Sequence, residues 1–341
     1  MLQKTTPLAI DLKDKKINIL FRTDSSSTIG LGHVMRCLVL AQRLKLENTN
    51  KNTNIIFATQ NLNGNINSKI IKQDFNLYPL KSAKKKELIN LIKNNNIDLL
   101  IIDSYEISPK YEKEIIKKIK CKTLVFDDMF KRHNADIELN HGLHVEKKSY
   151  KNLVSKNTKV FCGSKYTILR DEFFQQYKNS KDDNKIAIIL GGNDIQNLSL
   201  KIAKLLKSIN PKYKITVITT SVNKNISQLK KEKDITLLVG IKNIAKILSK
   251  HSLIICASGG NLFEVMALKK HFINIQIADN QDSIVKFLKK KKIFKTLDKE
   301  DINSLNLKKQ IEYTSTNNVY DKLDYKFSKT TLARKILSEL T

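Results

Sequence analysis

Reactive residue types gather at the ends of apolar runs. His33 closes the loop Gly30-Leu31-Gly32 and opens a stretch in which Val34, Cys37, Leu38, Ala41 and Leu44 recur at helical spacing. An imidazole at a helix start is disfavoured as a cation, and a neutral imidazole can serve as a general base. Asp103-Ser104-Tyr105 and Asp127-Asp128 each follow an apolar run of strand length. Two further glycine turns, Gly191-Gly192-Asn193-Asp194 and Ser258-Gly259-Gly260-Asn261, stand between a strand-like run and a helical one. Backbone N–H groups at such turns, with the partial positive charge of the helix start, suit a phosphate. Neither turn runs on into the Gly-Lys-Ser/Thr of a P-loop, and neither is G-x-G-x-x-G, which argues against a bound dinucleotide. The chemistry on offer is proton transfer beside a phosphorylated ligand. A glycine turn ahead of a helix also arises for structural reasons alone, so the surrounding elements have to decide.

Those elements alternate. Ile17 to Phe21, Asn54 to Ala58, Leu77 to Leu80, Ile97 to Ile102 and Thr123 to Phe126 read as strands, with helical spacing between them. Asp136 to Leu139 and Val160 to Gly163 read as two more short strands. After the polar stretch Lys178 to Asn184, a linker by composition, the alternation restarts at Lys185 and continues to a C-terminal helix from about Thr330 to Leu340. Such alternation means βαβ units and a parallel sheet, in which ligands bind beyond the carboxyl ends of the strands. The loops Ser25 to His33, Asp103 to Tyr105 and Asp127-Asp128 should therefore converge on one rim. The expected fold is α/β: two doubly wound Rossmann-like domains facing each other across a cleft, residues 16–178 and 179–341, after a loose extension of residues 1–15. His141 and His144, three apart with no third ligand beside them, read as part of a surface loop.

Composition narrows the class. A chain of 341 residues suits two domains, and no apolar run approaches a membrane span. The N-terminus lacks the apolar middle of a signal peptide, so a cytoplasmic protein is expected. Cys37, Cys121, Cys162 and Cys256 lie far apart without a C-x-x-C pair, which fits buried thiols in a reducing compartment. The net charge of +29 raises a nucleic-acid partner. The lysines are spread along the whole chain and arginine, the main reader of base edges, is scarce, so no specific nucleic-acid partner is expected. The excess charge can still draw in an anionic substrate.

Several motifs together carry a specific likeness. The stretch from Arg22 to Leu44 (RTDSSSTIGLGHVMRCLVLAQRL), Asp103-Ser104-Tyr105, YTILRDEF from Tyr166 to Phe173, ILGGND from Ile189 to Asp194, ASGGNLFEVMAL from Ala257 to Leu268 and IADNQ from Ile277 to Gln281 resemble, in order, the PseG family. These are UDP-2,4-diacetamido-2,4,6-trideoxy-β-L-altropyranose hydrolases of pseudaminic acid biosynthesis, a step linked to flagellin glycosylation. They are similar in turn to the MurG-like glycosyltransferases of GT-B fold. The resemblance spans roughly Ile17 to Leu288; the extension and the stretch from Lys289 to Tyr325 match nothing in it.

The resemblance implies an inverting hydrolysis in a monomer that needs no cofactor and no catalytic metal, although paired acids such as Asp127-Asp128 hold magnesium in some transferases. It places the general base at His33, with Gly30 and Gly32 making room for sugar and water. Ser258, Gly259, Gly260 and Asn261, on the nucleotide side, fall to the diphosphate and Glu264 to the ribose hydroxyls, while Gly191-Gly192, in the ILGGND motif, is a further substrate-binding turn suited to phosphate. Asn280 and Gln281 fall to the sugar, or to capping the helix that follows. Tyr105 is a sugar contact or a packed aromatic. Asp24 and Arg36 belong to the first motif: Arg36 orients the surroundings of His33, meets a phosphate, or pairs with Asp24. Arg170 reads as closing the cleft. The runner-up reading is a GT-B glycosyltransferase using a UDP-sugar donor, and a third is a basic nucleic-acid-binding protein.

Overall fold

The computed structural model describes residues 16–48, 52–178, 182, 184–291 and 296–340. The expected loose extension of residues 1–15 lies outside them, as does most of the expected linker.

The first half is built on a parallel sheet of β1 (Ile17–Thr23), β2 (Thr53–Gln60), β3 (Asn76–Leu80), β4 (Leu99–Asp103), β5 (Lys122–Phe126), β6 (Ile137–Asn140) and β7 (Lys159–Cys162), in the order β3-β2-β1-β4-β5-β6-β7. Its helices are α1 (Gly32–Glu47), α2 (Asn67–Ile71), α3 (Lys85–Asn94) and α4 (Pro109–Ile116). The strands read as continuous Val/Ile/Leu runs because both faces are covered. One face carries Ile19, Phe21, Leu99, Ile101 and Leu124 against α1. The other carries Leu20, Leu100, Ile102 and Val125 against α3 and α4. Strand order reverses between β1 and β4, the place where such sheets open a crevice.

The second half repeats the plan with β8 (Lys185–Ile189), β9 (Lys214–Thr219), β10 (Ile235–Val239), β11 (Leu253–Ala257), β12 (His271–Gln276) and the two-residue β13 (Leu297–Asp298), ordered β10-β9-β8-β11-β12-β13 and all parallel. Its helices are α5 (Leu198–Ile209), α6 (Ile226–Lys231), α7 (Ile244–Leu248), α8 (Gly260–Ala267), α9 (Asp282–Lys290) and α10 (Ser304–Thr316). The switch here lies between β8 and β11, so the turns after β8 and β11 share one rim. The stretch from Lys289 to Tyr325, for which the sequence offered no placement, supplies β13 and α10, whose Leu307 is buried beside Leu297 and Ile302.

The C-terminus departs from the expected boundary. Helix α11 (Thr331–Leu337) leaves the second half and packs on α1, burying Leu332, Ala333 and Ile336 in the core of the first sheet. The reason is chemical: its apolar stripe is complementary to the outer side of α1, and Arg334 reaches Glu47 at 2.6 Å. Val319, Tyr320, Leu323, Tyr325 and Phe327, just before it, pack on the second half. The chain thus crosses between the halves twice. Truncating Ile336 to Ala should cost about 2–4 kcal/mol of stability in the first half, read by urea unfolding.

Candidate active site

The first turn of α1 faces the carboxyl ends of β4, β5 and β6. His33 and Arg36 lie three apart and so on one face of the helix. Asp103 is the last residue of β4, Asp128 follows β5, and His141 follows β6. The topology alone brings these five side chains together.

Asp103 is the hub. It is 1 % exposed and accepts from His33 Nδ1 at 2.6 Å, from Arg36 Nε and Nη2 at 2.6 Å each, and from the Cys37 thiol at 3.4 Å. Burial pushes this carboxyl up, but the Arg36 guanidinium and His33 outweigh it and hold it well below the usual carboxylate range. An ionised carboxylate only accepts, so Nδ1 of His33 must carry the hydrogen and Nε2 is left to take a proton from elsewhere. Burial and the Asp103 charge both push the Cys37 thiol well up, so it is a packing group and a weak donor, not a nucleophile.

Arg36 completes the network. Its Nη1 donates to Asp128 Oδ2 at 2.8 Å and to His141 Nε2 at 2.9 Å, and its guanidinium stacks 4.7 Å from the centre of Phe126. Of the openings left by the sequence, the ion pair with Asp24 is not formed: Arg36 bonds to Asp103, Asp128 and His141 around His33. Asp24 pairs with Arg22 at 2.6 Å and accepts from the Gln60 N–H at 2.7 Å. Burial pushes Asp128 up while Arg36 and His141 pull it down, leaving it below its ordinary value.

His141 corrects the reading of a surface loop. It is 8 % exposed, wedged between Phe126 and Phe263 of α8, and its carbonyl accepts from Thr167. Burial and the neighbouring Arg36 push it down to about 4. His144 is driven to about 4 by burial and rests beside Phe130 and Phe287. Sequence missed both because nothing in their spacing marks a strand end that folds back under a helix of the other half.

Tyr105 stands edge-on to His33, ring centres 4.5 Å apart, and donates to Asp128 at 2.7 Å. From across the crevice Asn280 donates to the Tyr105 hydroxyl at 3.2 Å. Asp24, His33, Asp103 and Tyr105 line a cavity of about 220 Å³ together with Thr28 and Ile29. At Gly30, where φ is +90° and a side chain is strained, and at Gly32, an added Cβ would meet nothing within 4 Å. The loop is therefore open to a ligand.

On the opposite rim the placements are mixed. Gly259 and Gly260 begin α8, and an added Cβ at Gly260 meets open space. Ser258 differs from expectation: it is 1 % exposed and its hydroxyl donates to the Ile275 carbonyl at 2.9 Å, so it fastens the turn to β12. Gln281 likewise faces inward, accepting from the Ile277 N–H at 2.9 Å with its amide nitrogen 3.6 Å from where a Gly259 Cβ would sit. Glu264 accepts from Arg170 Nη2 at 2.8 Å and from Asn261 at 3.3 Å. Arg170, beside both Glu172 and Glu264, is thus a strut at the crossover between halves. Gly191 adopts φ +83°, and Gly192 sits where a Cβ would lie 3.3 Å from Leu31; Asn193 donates to the Ser27 carbonyl at 2.8 Å. That turn joins the two halves.

No protein-family model matches the chain. It is 37% identical over 281 residues to the UDP-2,4-diacetamido-2,4,6-trideoxy-beta-L-altropyranose hydrolase of Campylobacter jejuni, covering 81% of this chain and 97% of that protein. It is 31% identical over 263 residues to an uncharacterised protein of Methanocaldococcus jannaschii, of which it spans about half, 53%. Among solved structures it is similar to Acinetobacter baumannii MurG, with a TM-score of 0.63 at 13% identity over 95% of this chain and 99% of that one. The spinosyn rhamnosyltransferase SpnG gives 0.64 at 9% identity over 94% and 100%. These two fix the fold as GT-B.

The depressed histidines make a pH prediction. In the folded protein His141 and His144 stay neutral down to about 4, whereas unfolded histidine takes up a proton near 6.5. The unfolded state then binds more protons between those values, so stability should be full above 6.5 and fall as pH drops towards 4. Urea unfolding across pH 7.5 to 4.5 should show this slope, and His141→Gln should flatten part of it.

Proposed function

The chain belongs to the family of the UDP-2,4-diacetamido-2,4,6-trideoxy-β-L-altropyranose hydrolases, and from that premise we propose that it releases UDP from this sugar nucleotide by attack of water on the anomeric carbon. The observation that carries the proposal is His33: its Nδ1 is bound to Asp103 and it borders the open cavity, at the family's G-x-G-H position.

In this reading a water rests against Nε2 of His33. The bond from the anomeric carbon to the diphosphate oxygen breaks as the bond to water forms on the opposite face. The proton of water passes to Nε2, and the resulting imidazolium is held against Asp103. Arg36 keeps Asp103 ionised, so the tautomer and the ring orientation are set before substrate arrives. UDP leaves as a stable anion and asks for no proton. The start of α8, through the N–H groups of Gly260 and Asn261, takes the charge of the departing diphosphate. Glu264, steadied by Arg170, accepts from the ribose hydroxyls, while Tyr105 and Asn280 together bracket the sugar and Gly30 and Gly32 leave it room. Ser258, Gly259, Gln281 and the Gly191-Gly192 turn support these loops from behind.

Proton NMR of the purified protein with the sugar nucleotide and no acceptor tests the reaction. Free sugar of inverted anomeric configuration, alongside UDP, is the expected product; turnover only after adding an acceptor would make the chain a glycosyltransferase. His33→Ala should lose roughly 10²–10⁴-fold in kcat while binding UDP as before. Asp103→Asn should fall in kcat with little change in KM, because an amide can present its own N–H and spoil the tautomer. Glu264→Ala should instead weaken UDP binding about tenfold, the worth of one charged hydrogen bond.

A further inference from the structure

The loop after β5 carries two aspartates that face opposite ways. Asp128 faces the crevice. Asp127 turns behind the rim, where Tyr150 donates to its Oδ2 at 2.9 Å and the N–H of Met129 to its Oδ1 at 2.8 Å. There it meets three further ionisable side chains. His133, from the same loop, places Nδ1 2.7 Å from Glu112 Oε2 of α4. Its Nε2 lies 3.9 Å from Asp127 Oδ1 and 3.9 Å from Glu138 Oε1 of β6. One ligand atom from each of Asp127, His133 and Glu138 lies within 4.8 Å of the others, a convergence of His, Cys, Asp and Glu side chains that no second group repeats among the described residues.

Glu138 is the unexplained member. Strand alternation turns it to the face opposite Ile137 and Leu139, and it is 0 % exposed. Neither of its carboxyl oxygens has a hydrogen-bond partner. A wholly buried carboxyl without a partner is costly, and folded proteins supply one from the chain, from water or from an ion. Burial, then Asp127 and Glu112, pushes it up to about 9.

We propose that Asp127, His133 and Glu138 bind one divalent transition cation of the zinc or manganese class, at a structural site behind the catalytic rim. One imidazole nitrogen with two carboxylate oxygens is a ligand set such ions take. Glu112 on Nδ1 fixes His133 with its Nε2 lone pair towards the ion, the usual carboxylate support for a ligating histidine. The two carboxylates offset the ion's charge. It ties the β5 loop to β6, and that loop also holds Asp128 against Arg36 and Tyr105.

The test needs no substrate, so its failure is separate from any failure of the hydrolase reading. Full-length protein is stripped with a chelator, dialysed, and titrated with Zn²⁺ and with Mn²⁺ by calorimetry in buffers of different ionisation enthalpy. One equivalent should bind, and Co²⁺ should give a visible d–d spectrum. Glu138→Gln keeps the volume and removes the charge from a wholly buried position, so it should fold, and it should weaken binding at least about 100-fold. His133→Ala should do the same; should it not fold, Glu138→Gln decides. His33→Ala should bind like the parent. Absence of stoichiometric uptake of either ion, or uptake undiminished in Glu138→Gln, overturns the proposal and leaves Glu138 as a buried neutral acid.

Discussion

One partly buried guanidinium holds the rim of the crevice together. Arg36 is the shared partner of Asp103, Asp128 and His141, which come from the ends of three neighbouring strands. A carboxylate taken out of water is stable only with an opposite charge and hydrogen bonds around it. Without Arg36, burial would favour the neutral form of Asp103, and a neutral acid no longer dictates which nitrogen of His33 carries the hydrogen. Burial, and after it repulsion from the same guanidinium, keeps His141 neutral, and Arg36 and Tyr105 share Asp128 as a partner. Orientation of the His33 ring, charge on Asp103 and position of the facing tyrosine are one electrostatic arrangement.

The second constraint is how the halves meet. The turn after β8 touches the loop ahead of α1 through Asn193 and Gly192, and Phe263 covers His141. Asn280 reaches Tyr105 from the loop after β12. Arg170 and Glu264 brace the first crossover of the chain, and α11 returns to the first half at the second. With two covalent crossings and contacts from three loops, the freedom of one half against the other is restricted, which favours a cleft of defined width for a long, two-ended ligand.

Charge is distributed in a way that fits this work. The chain has 62 Lys and Arg against 33 Asp and Glu. Several of the few acids lie inside: Asp24, Asp103, Glu112, Asp127 and Glu138 are all nearly or wholly buried. The exterior is left strongly basic, a field that raises the local concentration of anionic ligands. The interior keeps the acids next to the groups they orient.

Much of this was legible from the chain alone. Continuous apolar runs and helical spacing placed nearly every strand and helix, because burial on both faces of a parallel sheet leaves a mark on each residue. Gly30, Gly32 and His33 marked a loop before a helix start, although the glycines alone could not separate a ligand loop from a structural turn. Local pattern could not show partners brought in from afar. Arg36 had three candidate roles until β4, β5 and β6 lined up beside it. His141 looked like loop because what buries it lies on other elements, Phe126 on β5 and Phe263 on α8 in the other half. Ser258 and Gln281 resembled ligand contacts, yet backbone carbonyl and N–H groups nearby claimed their side chains. Helix α11 belongs to the first core although it ends the second half of the chain. Spacing along a chain determines which face a residue takes on its own element; only tertiary contact decides which other element that face will meet.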